Sequence, residues 1–192
     1  MSLLKIVSMS VLLSSSIATL AQTVQTEEAR DIAQQKRIEQ GLQSGALNTK
    51  EASRLEKQEG RVDNLEAKAL KDGTLTDTES ARIKKAQNAV SADIHRQKHD
   101  AQLGNPDSAS SQRLQADVQR NINQEKRIAA GTASGALTNE EAAKLERGQA
   151  LAEKREGRAG ADGHVSAAEQ TRIQRREHVN SRKIHREKHD AQ

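Results

Sequence analysis

Two histidines four residues apart, His95 and His99, return ninety residues later as His185 and His189. Each pair sits in the same hexapeptide frame, His95-Arg96-Gln97-Lys98-His99-Asp100 and His185-Arg186-Glu187-Lys188-His189-Asp190, and each frame is followed by Ala-Gln. Residues four apart share a helix face. Neutral imidazoles so placed are the donors that Zn²⁺, Cu²⁺ or Ni²⁺ takes, although two ligands alone hold an ion weakly. A third ligand must come from a neighbouring element. If the helix that precedes His95 folds back as a hairpin, His99 lies level with Thr49 and His95 level with Ser53, because both helices rise about 1.5 Å per residue. That register brings Glu51 and Glu56 into range, and Glu141 and Glu146 into range of His185 and His189 in the second copy. His178, seven residues before His185, extends the second stripe to three. The competing reading needs no metal: His and Lys in the last turns of a helix complement its negative end, worth about 0.3–1 kcal/mol. Asp100 and Asp190 fall outside that second reading, being acids at a C-terminus.

The elements that must position these residues follow from a duplication. Residues 36–102 align without a gap on residues 126–192, with 28 identities in 67 positions. The segment between, 103–110, holds the only proline, Pro106, and reads as a linker. Within each repeat a boundary signal recurs as Gly45-Ala46-Leu47-Asn48…Glu51, Gly73-Thr74-Leu75-Thr76…Glu79, Gly135-Ala136-Leu137-Thr138…Glu141 and Gly163-His164-Val165-Ser166…Glu169. The glycine can stop one helix in the left-handed conformation, and the Asn, Thr or Ser with Glu three residues on forms a capping box for the next. These boundaries predict three helices per repeat, at roughly 24–43, 48–71 and 76–101, then 111–133, 138–160 and 166–190. Leu55, Val62 and Ala69, with Leu65, and then Ile83, Val90 and Ile94 mark a narrow seam of the coiled-coil kind. The expected fold is all-α: two tandem three-helix antiparallel repeats, 22–102 and 111–192. The seam thins in the second repeat, where Val62 becomes Ala152, Leu65 becomes Arg155 and Val90 becomes Asn180. Gly148, Gly157 and Gly160 also enter its middle helix, so the second bundle is expected to be the looser one.

The address is export. Met1 to Lys5 give a short positive start, Ile6 to Leu13 a modest apolar stretch, and Ala18-Thr19-Leu20-Ala21 a small-residue cleavage site, so residues 1–21 read as a signal peptide. A periplasmic or secreted protein is expected, with no membrane span, since the apolar run falls far short of about 20 residues. There is no cysteine anywhere, so neither a disulfide nor a lipid-anchored cysteine is available. Phe, Tyr and Trp are also absent, and Leu, Ile and Val together number 25 beyond residue 21, a thin core for a globular chain. Acids and bases alternate, a pattern that supports exposed helix faces. Nucleic acid is an unsuitable partner despite the net charge of +4, because no single-sign stripe forms and no aromatic ring can stack on a base.

Catalysis is not expected. The chain has no cysteine nucleophile, no Gly-x-Ser-x-Gly turn, no phosphate-binding glycine loop and no His-Glu-x-x-His. A calcium loop over Asp72–Glu79 fails on its own spacing: counting back from Gly73, the first and third ligand positions fall on Lys68 and Leu70, which offer no side-chain oxygen.

The frame Ser-Gly-x-Leu-(Thr/Asn)-x-x-Glu, then Arg-Leu-Glu or Lys-Leu-Glu, Asp-Gly and His-Arg-x-Lys-His-Asp resembles small exported bacterial helical-repeat proteins of unknown function. That resemblance implies an architecture and no activity. The boundaries Leu75-Thr76-x-x-Glu79 and Leu137-Thr138-x-x-Glu141 are similar to the Leu-Thr-x-x-Gln signature of Spy/CpxP-type periplasmic stress proteins, with Glu in place of Gln. That similarity implies metal sensing or chaperone work. The reading is therefore an exported, non-enzymatic helical protein that binds a divalent transition metal (Cu, Zn or Ni) at the His-x-x-x-His bundle ends. The alternative is a periplasmic stress chaperone or envelope interaction protein without a metal site.

Overall fold

In a computed structural model, residues 11–190 are described, with side chains from Val24 onward; the expected signal peptide lies outside the residues whose side chains are described. The described residues form six α-helices and one 3-10 turn, with no strand among them. The helices are α1 (Val11–Ser44), α2 (Thr49–Ala69), α3 (Asp77–Lys98), α4 (Ala109–Ser134), α5 (Asn139–Ala159) and α6 (Ala167–Glu187); the 3-10 turn, Leu70–Asp72, extends α2. Among the described residues, no helix is long and apolar enough to cross a membrane.

All four boundary signals fold as their chemistry dictates. Gly45, Gly73, Gly135 and Gly163 take φ of 74°, 81°, 74° and 94°, a conformation that a side chain would strain. Asn48, Thr76, Thr138 and Ser166 each accept the backbone N–H of the Glu three residues on, whose carboxylate in turn accepts the cap residue's own N–H. The carboxyls of Glu79, Glu141 and Glu169 are held below the ordinary glutamate range by these hydrogen bonds from Thr76, Thr138 and Ser166. Asp72 accepts from the Thr74 N–H at 3.1 Å, which organises the Asp72–Glu79 stretch as a helix boundary.

The two repeats do not stand as separate bundles. α2 packs antiparallel along α5 and α1 along α4, while α3 covers α1 and α2, and α6 covers α4 and α5. The apolar seam is shared accordingly. Ile38, Leu55, Val62, Ile83, Val90 and Ile94 of the first repeat form one cluster with Leu114, Val118, Ile122 and Ile173 of the second. Equivalent positions meet across the junction, as an approximate twofold axis requires: Gly60 backs onto the carbonyl of Ala150, ninety residues on.

This junction gives Gly157 and Gly160 a purpose that composition alone did not suggest. A Cβ on Gly157 would lie 2.5 Å from Lys57 Cβ and 2.8 Å from the Ser53 carbonyl oxygen, and one on Gly160 would collide with the Ser53 hydroxyl. These glycines let two backbones approach, so their propensity cost is offset by contact. Gly157→Ala decides between the two effects. Helix propensity alone would stabilise the protein by about 1 kcal/mol, whereas forcing α2 and α5 apart should cost about 1–3 kcal/mol. A fall in the melting temperature by circular dichroism is expected; an unchanged or higher value would mean that the helices separate at no cost.

Candidate functional site

The sequence-predicted ligands are dispersed. His95, His99, His178, His185 and His189 are all exposed. In each hexapeptide the two rings stack, with centroids 4.3 Å apart and interplanar angles of 22° and 14°. His99 Nδ1 lies 2.7 Å from the His95 carbonyl oxygen, and His189 Nδ1 lies 2.6 Å from that of His185, so both rings lean back on their own helix end. Glu51 is buried and accepts the Asn48 N–H at 2.9 Å as half of its capping box. Glu56 is turned into the middle of the molecule, where Gln35 and Asn121 donate to it. Glu141 lies near Glu187 and Asp190 at the end of α6. Among the described residues, no convergence of three or more candidate ligand atoms includes a histidine.

Charge instead gathers inside the bundle. The acids Glu56, Glu59, Asp63 and Glu66 of α2, and Glu146, Glu153 and Glu156 of α5, are at most 4 % exposed. Their spacing of three and four residues puts each set on one helix face. That face is adjacent to the Leu55–Val62–Ala69 stripe and points at the opposing helix, while the lysines and arginines between the acids point outward. Asp31 of α1 and Glu125 of α4 complete the row. The alternation of acids and bases, read from the sequence as a solvated surface, is thus corrected: the basic half of the pattern is exposed and the acidic half is buried.

Removal from water raises every carboxyl in this row, because burial penalises the charged form. Neighbouring acids add to the rise. Two carboxyl pairs relieve part of it: Asp31 is lowered by its contact with Glu66 and Glu56 by its contact with Glu156, while the partner in each pair is pushed further up.

The approximate twofold axis splits the row into two unlike ends. At one end amides supply donors. Gln35 Nε2 donates to Glu153 Oε1 at 2.6 Å and to Glu56 Oε2 at 3.3 Å, and Asn121 Nδ2 donates to Glu156 Oε2 at 2.8 Å. At the other end the equivalents of Gln35 and Asn121 are Glu125 and Asp31. There Asp63, Glu125 and Glu146 bring one carboxylate oxygen each to within 4.8 Å of one another. Both oxygens of Glu146 and one each of Asp63 and Glu125 have no hydrogen-bond partner, and all three residues are at most 3 % exposed. An unpartnered buried acceptor costs on the order of 1–3 kcal/mol, more if charged, so this end requires protons or a cation where its counterpart has amides. Oxygens bound to one Ca²⁺-sized ion at about 2.3–2.6 Å can lie up to about 5 Å apart, so the observed spread fits a single ion. Glu59, with both oxygens also unpartnered, is next in the row.

Of the predicted ligands, Glu146 belongs to this convergence, but without the histidines expected beside it. Asp63 and Glu125 were missed. The signal that could have found Asp63 is the run Glu56, Glu59, Asp63, Glu66, which repeats as Glu146, Gln149, Glu153, Glu156 at coiled-coil spacing; Glu125, on α4, belongs to neither run. Compared with protein-family models, curated proteins and solved structures, the chain matches none.

Proposed function

We propose that this chain is an exported, non-enzymatic helical protein that binds a divalent cation, and that the cation is held in the bundle core by Asp63, Glu125 and Glu146. The observation that carries this reading is the convergence of three buried carboxylates, four of whose oxygens have no hydrogen-bond partner, at the place where the other half of the bundle puts Gln35. An all-oxygen donor set favours Ca²⁺, Mn²⁺ or Mg²⁺ over the Cu²⁺, Zn²⁺ or Ni²⁺ that paired imidazoles prefer. Because the site is buried, uptake is coupled to opening of α1, α2, α4 and α5 or to folding itself. Support for the histidine ends is weaker, since Glu51 is engaged in a capping box and Glu56 with two amides. A chaperone surface has less still: among the described residues, Leu103 and Leu151 are the exposed large apolar side chains.

Calorimetric titration of the metal-free protein with Mn²⁺, Ca²⁺ and Zn²⁺ separates the sites. Saturable uptake of Mn²⁺ or Ca²⁺, lost in Glu146→Gln and retained in the double variant His99→Ala/His189→Ala, is expected. Zn²⁺ uptake that vanishes in the histidine variant and survives in Glu146→Gln would return the site to the helix ends.

A further inference from the structure

A second charged site lies on the outside of the second repeat. α5 and α6 enclose an open cleft of about 500 Å³, within the size range of small-ligand pockets, with Arg155 and Arg158 on one wall and Arg172 and Arg175 on the other. Ile173 and Ala159 form its apolar floor. Arg176, half-buried, stands beside Arg155, and its Nε is inaccessible to solvent and without a hydrogen-bond partner. None of these five arginines enters an ion pair among the described residues. The single acid on the cleft wall, Glu169, is already engaged by the Ser166 N–H at 2.9 Å and hydroxyl at 2.7 Å.

The first repeat fills the equivalent position with apolar side chains. The equivalents of Arg155 and Arg176 are Leu65 and Ala86, and there both side chains pack onto the apolar core. Two apolar plugs have thus been replaced by two guanidinium groups that repel each other, in a groove whose remaining frame, Arg82, Ile83, Ala69 and Glu79, recurs as Arg172, Ile173, Ala159 and Glu169. Leucine packing is absent here, and among the described residues no acid forms an ion pair with the arginines that stand in its place.

We propose that the α5–α6 cleft binds a compact phosphate-bearing polyanion, held by Arg155, Arg158, Arg172 and Arg175, which line it, with Arg176 adding positive charge from beside Arg155. Planar guanidinium forks engage phosphate oxygens in pairs, and several converging on one cleft match more than one negative charge. The apolar floor is small and the chain has no aromatic residue, so the charged group rather than an attached ring carries recognition. This site is independent of the core cation.

The test uses the full chain at fixed ionic strength, titrated calorimetrically with pyrophosphate, and in parallel a sedimentation assay with phosphatidylglycerol–phosphatidylcholine vesicles. The decisive variant is Arg155→Leu/Arg176→Ala, which installs the residues of the first repeat. Saturable binding of pyrophosphate, weakened at least tenfold in this variant, is expected; vesicle binding lost in the same way would identify a lipid headgroup as the source of the phosphate. Arg158→Gln/Arg175→Gln, at exposed positions, gives the same readout should the first variant fail to fold. Binding to neither probe, or binding unchanged in both variants, overturns the proposal.

Discussion

Raising the pH from about 4.5 to 8 in the presence of chelator is expected to lower the melting temperature by roughly 10 °C or more, the reverse of the behaviour of a protein stabilised by ion pairs. The effect is carried by buried acids, among them Asp117 and Glu28, the latter close enough to Glu125 and Glu146 to raise both. Burial pushes Asp117 up to about 8, with Glu177 adding to the rise and Arg120 opposing it. Burial pushes Glu28 up to about 7, against the hydrogen bond from Thr132. Both folded values lie above the unfolded ones of 3.8 and 4.5. A carboxyl raised in this way contributes stability that is fully present below its unfolded value and is lost as pH rises through its folded value. Each unit of difference corresponds to about 1.4 kcal/mol, so these two residues bring the loss by pH 8 to several kcal/mol. Glu177 shifts in the same direction. Thermal melts at half-unit pH intervals would show a decline from pH 5 to 8; a maximum near neutrality would mean that these carboxyls are solvated or neutralised by another route.

Glu125→Gln should have two opposite consequences. It places an amide where Gln35 stands in the other half of the bundle, and Gln35 donates to two carboxyls there. The variant amide can donate to Asp63 and Glu146 in the same way, while it removes one ionisable group from a site of three. The metal-free protein should therefore gain about 1–3 kcal/mol at pH 7.5, the cost of an unsatisfied buried acceptor. Cation uptake should fall by at least tenfold, because only two carboxylates remain. The reverse change, Gln35→Glu, should destabilise the metal-free protein and add a second equivalent of bound cation. A Glu125→Gln protein that melts lower than the parent and still binds Mn²⁺ or Ca²⁺ would refute the assigned site. The pairing of outcomes matters, because general damage to the fold lowers both stability and uptake, whereas loss of a ligand raises one and lowers the other.

The two predictions meet in the same physics. With acids at this density inside the bundle and no lysine or arginine among them, neutrality is reached by protons at low pH or by a metal ion near neutral pH. Added Ca²⁺ or Mn²⁺ should accordingly flatten the pH dependence of stability in the parent protein and leave that of Glu125→Gln unchanged.

Local order was legible from the residues alone. Four Gly-x-x-cap-x-x-Glu boundaries set the helix ends they flank to within a few residues, because a left-handed glycine and a capping box are satisfied by neighbours in the chain and need no tertiary partner; the start of α1, at Val11 instead of 24, has no such signal. The apolar seam was legible for the same reason: Leu55, Val62, Ile83, Val90 and Ile94 are all buried where their periodicity put them. What those elements pack against was not. The first repeat turns α1 and α2 toward α4 and α5 of the second, and nothing local to α2 states that α5 will cover it. The same Glu56–Glu59–Asp63–Glu66 run would be a solvated surface on a lone three-helix bundle and becomes a buried charge row once Gly157 and Gly160 admit α5. The histidine pairs stack ring on ring at exposed helix ends, with His99 and His189 just past the last residues of α3 and α6. Whether a charged side chain meets water or another acid is a property of the partner helix, and only the tertiary structure supplied that partner.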